Sequence, residues 1–72
     1  MKLSPEAQAA ITLLINEHEG DLFALNEEMY CQGICCKCGD TQSGVEPDAE
    51  GYTCETCGEN SVMGFEDALI QL

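Results

Sequence analysis

A small α+β domain, with an N-terminal helical hairpin packed on a cysteine-stapled C-terminal half, is the fold class the sequence predicts. Three observations carry it. Apolar residues in the first third recur on a 3.6-residue period, and from Gly33 onward the texture changes to Gly, Cys, Thr and Asp with short apolar interruptions. Two C-x2-C-G units then stand fifteen residues apart. A chain of 72 residues makes one domain, and at this size only about 60% of the unfolded surface is buried. Below about 80 residues such a core usually needs a staple. Six cysteines supply one.

The first helix is predicted from its ends inward. Ser4 suits the N-cap, and Pro5 suits the first helical position, where its missing amide hydrogen costs nothing. Ala7, Ala10, Ile11, Leu14, Ile15 and His18 fall on one stripe, and Gly20 supplies the stop. Asp21 caps a second helix over residues 22–30, with Leu22, Leu25 and Met29 on one face and Phe23 and Tyr30 beside it. A helix shorter than about 12 residues does not hold alone. It must dock, and a tight Gly20-Asp21 turn folds it onto the first as a hairpin spanning residues 1–30.

Residues 33–64 form the cysteine segment. Val45-Glu46-Pro47-Asp48 reads as a turn, with Pro47 fixing φ, and Gly51-Tyr52-Thr53 and Ser61-Val62-Met63 read as short strands. Residues 65–72 form a short helical segment with Phe65, Leu69 and Leu72 on one side. The apolar faces of the hairpin are expected to meet Val45, Tyr52, Val62, Phe65 and Leu69. No duplication larger than the two cysteine pairs is evident.

The chemistry lies in Cys35-Cys36-Lys37-Cys38-Gly39 and Cys54-Glu55-Thr56-Cys57-Gly58. Two residues between cysteines let a tight turn aim both sulfurs at one point, and a glycine after each pair accepts the dihedrals needed to leave the turn. Cys35, Cys38, Cys54 and Cys57 are therefore the expected ligands of one structural Zn2+, and disulfide pairing is the rival. Four thiolates close the tetrahedron and leave no position for substrate, so no enzymatic activity is expected. Cys36 is a poorer ligand than Cys35 because only one residue separates it from Cys38. Cys31 and Cys36 read as ordinary thiols, since a reactive thiol needs an activating environment. His18 reads as a helix C-terminal residue packed on the core.

Charge limits the partners. Fourteen Asp and Glu stand against Lys2 and Lys37, a formal −12, and a zinc tetrathiolate adds two further negative charges. Such a surface repels nucleic-acid phosphates and anionic membranes, and steers toward a protein with a basic surface. Asp40, Glu46, Asp48, Glu50, Glu55 and Glu59 lie in the cysteine segment and are the candidate partner-binding residues. They read either as a solvated face or as a mimic of nucleic-acid phosphates. The calcium-loop pattern is absent. Met1-Lys2-Leu3-Ser4-Pro5-Glu6 lacks the pattern of an export signal and no apolar run reaches membrane-span length. A reducing cytoplasm is the expected setting, and a monomer or homodimer the expected state.

The second half resembles a zinc ribbon, in which two cysteine knuckles sit at the tips of short antiparallel hairpins. Rubredoxins share the paired C-x2-C-G knuckles, but the shorter separation and the absence of Trp fit an iron electron carrier poorly. Over nearly the whole chain, Glu28-x-Tyr30, Gly33-Ile34-Cys35, Cys38-Gly39, Val45-Glu46-Pro47-Asp48-Ala49, Gly51-Tyr52-x-Cys54-Glu55, Cys57-Gly58 and Val62-x-Gly64 are similar to small zinc-ribbon proteins of bacteriophages and prophages. Those are mostly of unknown function. The resemblance therefore implies a fold and a host-cell cytoplasmic setting, carries the ligand role to Cys35, Cys38, Cys54 and Cys57, and gives Cys31 and Cys36 none. The leading expectation is an acidic, non-catalytic protein-binding module, in the form of a phage-encoded modulator or nucleic-acid-mimicking inhibitor of a basic host protein. A nucleic-acid-binding or transcription-associated ribbon is the alternative, and a thiol redox enzyme using Cys31 or Cys36 ranks below both.

Overall fold

A computed structural model describes residues 2–72; Met1, at the head of the expected hairpin, lies outside them. Helix α1 spans Pro5–Glu17, and the Ser4 hydroxyl accepts the Ala7 amide at 3.1 Å. The same hydroxyl donates to the Lys37 carbonyl at 2.8 Å, and the Ser4 amide donates to the Cys36 carbonyl at 2.8 Å. One residue thus caps the helix and moors it to the first cysteine turn. Past His18 the chain reverses through Glu19 (φ 55°) and Gly20 (φ 79°), and the Gly20 amide closes on the Ile15 carbonyl at 2.9 Å.

Helix α2, Leu22–Glu28, is capped by Asp21, whose carboxylate accepts the Ala24 amide at 3.1 Å. It is shorter than the expected 22–30, because Met29 already caps its C-terminus and Cys31 takes φ 62° to turn the chain into the sheet. The expected apolar face is correspondingly narrower. Leu25 and Met29 enter the core, while Leu22, Phe23 and Tyr30 stay exposed. Two turns of helix present only one narrow stripe to α1.

Three strands follow: β1 (Gln32–Cys35), β2 (Thr41–Ser43) and β3 (Val62–Gly64), in the order β2-β1-β3 with both pairings antiparallel. Ile34 stands opposite Thr41 on one side and Met63 on the other. Of the expected strands, 61–63 is matched within one residue by β3, and 51–53 reduces to a single bridge between Tyr52 and Val62. Helix α3, Phe65–Ile70, stops short of the expected 72, so Phe65 and Ala68 are buried, Leu69 is half-buried and Leu72 is exposed.

The pleat divides the interior into two clusters. Ile34, Cys36, Met63, Phe65 and Ala68 pack against Leu3, Ala7, Ile11, Leu25 and Met29 from the helices. Cys35, Val45, Cys54 and Val62 gather on the other side, with Ala49 against them. Val45 and Val62 therefore do not face the helical hairpin as expected. Successive residues of a strand point to opposite faces, so Val62 and Met63 cannot serve the same cluster. The loop at residues 45–49 is held over β3 by the Gly64 amide, which donates to the Ala49 carbonyl at 2.9 Å. A Cβ on Gly64 would stand 2.1 Å from the Pro47 carbonyl oxygen, so this close approach requires glycine.

Candidate metal centre

The first cysteine turn forms the tip of the β1–β2 hairpin. The Cys35 amide donates to the Asp40 carbonyl at 2.8 Å and the Gly39 amide to the Cys35 carbonyl at 3.0 Å. Gly39 meets this closure with φ 83°. The backbone amides of Lys37 and Cys38 then point at the Cys35 sulfur, each at 3.4 Å.

Nineteen residues later the same turn is built again. The Cys54 amide donates to the Glu59 carbonyl at 2.8 Å, and Gly58, φ 79°, donates to the Cys54 carbonyl at 3.0 Å. Thr56 and Cys57 direct their amides at the Cys54 sulfur, again at 3.4 Å. The duplication therefore extends beyond the cysteine pairs to a six-residue unit, Cys-x-x-Cys-Gly-acid, ending at Asp40 and Glu59. The two turns face each other and are cross-braced. The Thr56 hydroxyl donates to the Asp40 carboxylate, and Lys37 Nζ lies 3.6 Å from the Glu59 carboxylate.

Facing turns bring the four expected sulfurs together. Those of Cys35, Cys38, Cys54 and Cys57 all lie within 4.8 Å of one another. Across the turns, Cys35 is 3.7 Å from Cys57 and Cys38 is 3.6 Å from Cys54. A disulfide needs about 2.05 Å, so these sulfurs are unbonded. A tetrahedral ion with metal–sulfur bonds of about 2.3 Å would set its sulfurs about 3.8 Å apart. Those two separations match that spacing, and the donor set fits a soft, four-coordinate metal ion. Cys35 and Cys54 form the buried floor of the cluster, while Cys38 and Cys57 lie toward solvent.

Protons are shared unequally among these sulfurs. Burial opposes ionisation of Cys35, yet the amides of Cys38 and Lys37 and the Ser61 hydroxyl outweigh it and bring the thiol down to about 6. Cys54 is also lowered, chiefly by the Cys57 amide. Cys38 is pushed up to about 12: the Asp40 amide favours its thiolate, but burial and the sulfurs of Cys35, Cys54 and Cys57 oppose it. Cys57 is raised as well: the Glu59 amide favours its thiolate, but burial and the sulfurs of Cys35 and Cys54 oppose it. Four close thiols cannot all ionise without a cation among them.

The remaining candidates sit elsewhere. The Cys36 sulfur turns into the helical cluster and donates to the Met63 sulfur at 3.2 Å, and burial raises its thiol. Cys31 is exposed at the α2–β1 turn. His18 is absent from the sulfur cluster. Its Nδ1 lies 2.9 Å from the Leu14 carbonyl and its Nε2 meets the Glu28 carboxylate, which raises its pKa above 6.5. Asp40, Glu46, Asp48, Glu50, Glu55 and Glu59 are all exposed. Glu46 accepts from the Tyr52 hydroxyl, which lowers its own pKa and raises that of the tyrosine.

Two residues next to the centre were missed in the sequence. The Ser61 hydroxyl lies 3.0 Å from the Cys35 sulfur, and the Gln42 side chain accepts the Glu55 amide at 3.1 Å and donates to the Thr53 carbonyl at 3.2 Å. They occupy equivalent places, nineteen residues apart, and extending the cysteine repeat by three positions would have found them. The sequence matches no family model, and no curated protein or solved structure matches it significantly. No helix among the described residues is long and apolar enough to cross a membrane.

Proposed function

We propose that the chain is a non-catalytic zinc-ribbon module that binds a protein with a basic surface. The observation that carries this reading is the convergence of Cys35, Cys38, Cys54 and Cys57 at tetrahedral sulfur spacing on a chain of formal charge −12. A tetrahedral four-sulfur site suits zinc or iron, and the short separation of the cysteine pairs favours zinc. Zinc bound by four thiolates stabilises the fold and offers no open position to a substrate. The turns it joins carry Asp40, Glu55 and Glu59, and Glu46, Asp48 and Glu50 lie on the connecting loop. Their charge supports steering toward Lys- and Arg-rich protein surfaces. The resemblance to phage ribbons makes a bacterial host protein the natural candidate.

Elemental analysis of protein purified without chelator should give one zinc per chain. Iron in its place would change the metal assignment, and metal-free folded protein would overturn the reading. Affinity capture from bacterial lysate should yield a basic protein whose retention falls as salt rises, since screening weakens such contacts. Recovery of no partner at low salt would count against this reading, and a gel shift with DNA or RNA would favour the nucleic-acid-binding alternative.

A further inference from the structure

Among the described residues Ser61 is the buried polar residue, with 6% of its surface exposed. Two contacts fix it against the first cysteine turn. Its carbonyl accepts the Cys36 amide at 2.7 Å, and its hydroxyl lies 3.0 Å from the Cys35 sulfur. A thiolate has no proton to give, so whenever Cys35 is ionised the hydroxyl is the donor. Cys35 then accepts from two backbone amides and one hydroxyl. Its counterpart Cys54 receives two backbone amides of the same length. Gln42, the residue equivalent to Ser61, spends both ends of its amide on the backbone of the second turn. The two halves of the centre thus match in backbone and differ in the side chain that braces them.

We propose that Ser61 is a positioning residue of the metal centre, donating its hydroxyl to the Cys35 thiolate and making Cys35 the anchoring ligand. The proposal rests on the metal reading above. A hydrogen bond from outside the ligand set fixes the direction of the sulfur and lowers the energy of its lone pairs, and loss of such a bond typically weakens metal binding about 10–100-fold. The neighbourhood allows a clean test, because alanine removes the oxygen from a buried site without adding bulk. Gln42→Ala is the matched control, since it loosens the second turn without touching a sulfur.

Wild type, Ser61→Ala and Gln42→Ala would be titrated with Co2+ and then with Zn2+ in competition with a chromophoric chelator. Wild type should bind one ion and show thiolate-to-cobalt charge-transfer bands. Ser61→Ala should bind about 10–100-fold more weakly and shift those bands to lower energy, because an unbonded sulfur lone pair is more easily oxidised. Gln42→Ala should leave the band energy unchanged. Wild-type protein that binds neither ion would defeat the metal reading itself. Ser61→Ala with the wild-type affinity and spectrum would overturn the role of Ser61 alone, as would weaker binding without a band shift. A measurement on the unmodified protein covers the case in which Ser61→Ala does not fold. In the 113Cd-loaded chain the Ser61 hydroxyl proton should exchange slowly and show scalar coupling to cadmium through the Cys35 sulfur. Absence of that coupling would refute the donation.

Discussion

On the proposed zinc reading, replacing Cys54 by Ser removes one of four ligands and would leave the ion three thiolates. Cys54 is the most informative choice, because it is buried, lies 3.6 Å from Cys38 and receives two amides. Structural zinc sites in isolated fingers bind with about 10–16 kcal/mol, so an even share per ligand is roughly 3 kcal/mol. That is a large share of what the whole domain has to lose. At about 0.05–0.15 kcal/mol per residue, a chain of this length has a net stability of about 4–11 kcal/mol. A loss of about 3 kcal/mol lowers Tm by about 12–24 °C in a domain of this size and weakens zinc about 100-fold. The effect should be uneven, because the second cluster consists of two ligands, Val45 and Val62 with Ala49 against them. The first cluster holds Phe65, Ile11, Leu25, Ile34 and Met63 without any ligand. Circular dichroism melts with and without chelator would measure the shift, and amide spectra would locate it in residues 38–60. A cooperative melt within about 3 °C of wild type, with zinc retained, would refute the argument.

Further outcomes follow from the same structure. Zinc addition at neutral pH should release protons, measurable with an indicator dye, because Cys38 near 12 and the raised Cys57 must be deprotonated to bind. Coordination depresses the thiol pKa values, so this contribution is present at neutral and higher pH and disappears as pH falls and protons displace the ion. His18 behaves oppositely: its pKa is raised chiefly by Glu28, so its contribution is complete below about 6.5 and lost as pH climbs through the folded value. A proton NMR titration of the imidazole should show the raised value returning toward normal in Glu28→Gln, and no movement would refute the pairing. Gly64→Ala should destabilise the fold by more than about 2 kcal/mol, because a Cβ would collide with the backbone at Pro47. Gly20→Ala meets open space and carries only the left-handed φ, a cost of about 1 kcal/mol. Paired denaturant melts would compare the two glycines.

What could be read from the residues depended on how local the cause was. Caps, stops and cysteine turns are set within a few positions, so Ser4, Asp21, Gly20 and the four convergent sulfurs stood out. Strands β1 and β2 did not. Gln32–Cys35 and Thr41–Ser43 are too short to show an alternating pattern, and their pairing is imposed by the turn between them. The side taken by Val45 and Val62 was also hidden, because it depends on which register the turn selects. His18 found Glu28 across the helical hairpin, beyond the reach of any spacing rule along one helix. The sequence places Leu22 on the apolar face with Leu25 and Met29, and Phe23 and Tyr30 beside it, yet Leu22, Phe23 and Tyr30 are exposed. The Ser61 contact to Cys35 joins residues 26 apart; the nineteen-residue repeat marks the position of Ser61, but the contact itself shows only in the folded chain.

The alternation along β1 has one more implication. Ile34 and Cys35 are neighbours in the chain but face opposite ways, as do Met63 and Val62 across from them. Sliding either strand by a single position would hand the isoleucine to the ion and the thiol to the oil. Strands of four and three residues have too few hydrogen bonds to forbid that slip by themselves. An ion bound by the four cysteines, accepting sulfur and rejecting hydrocarbon, would forbid it outright, and such a metal would proofread strand alignment as well as clasp the two turns.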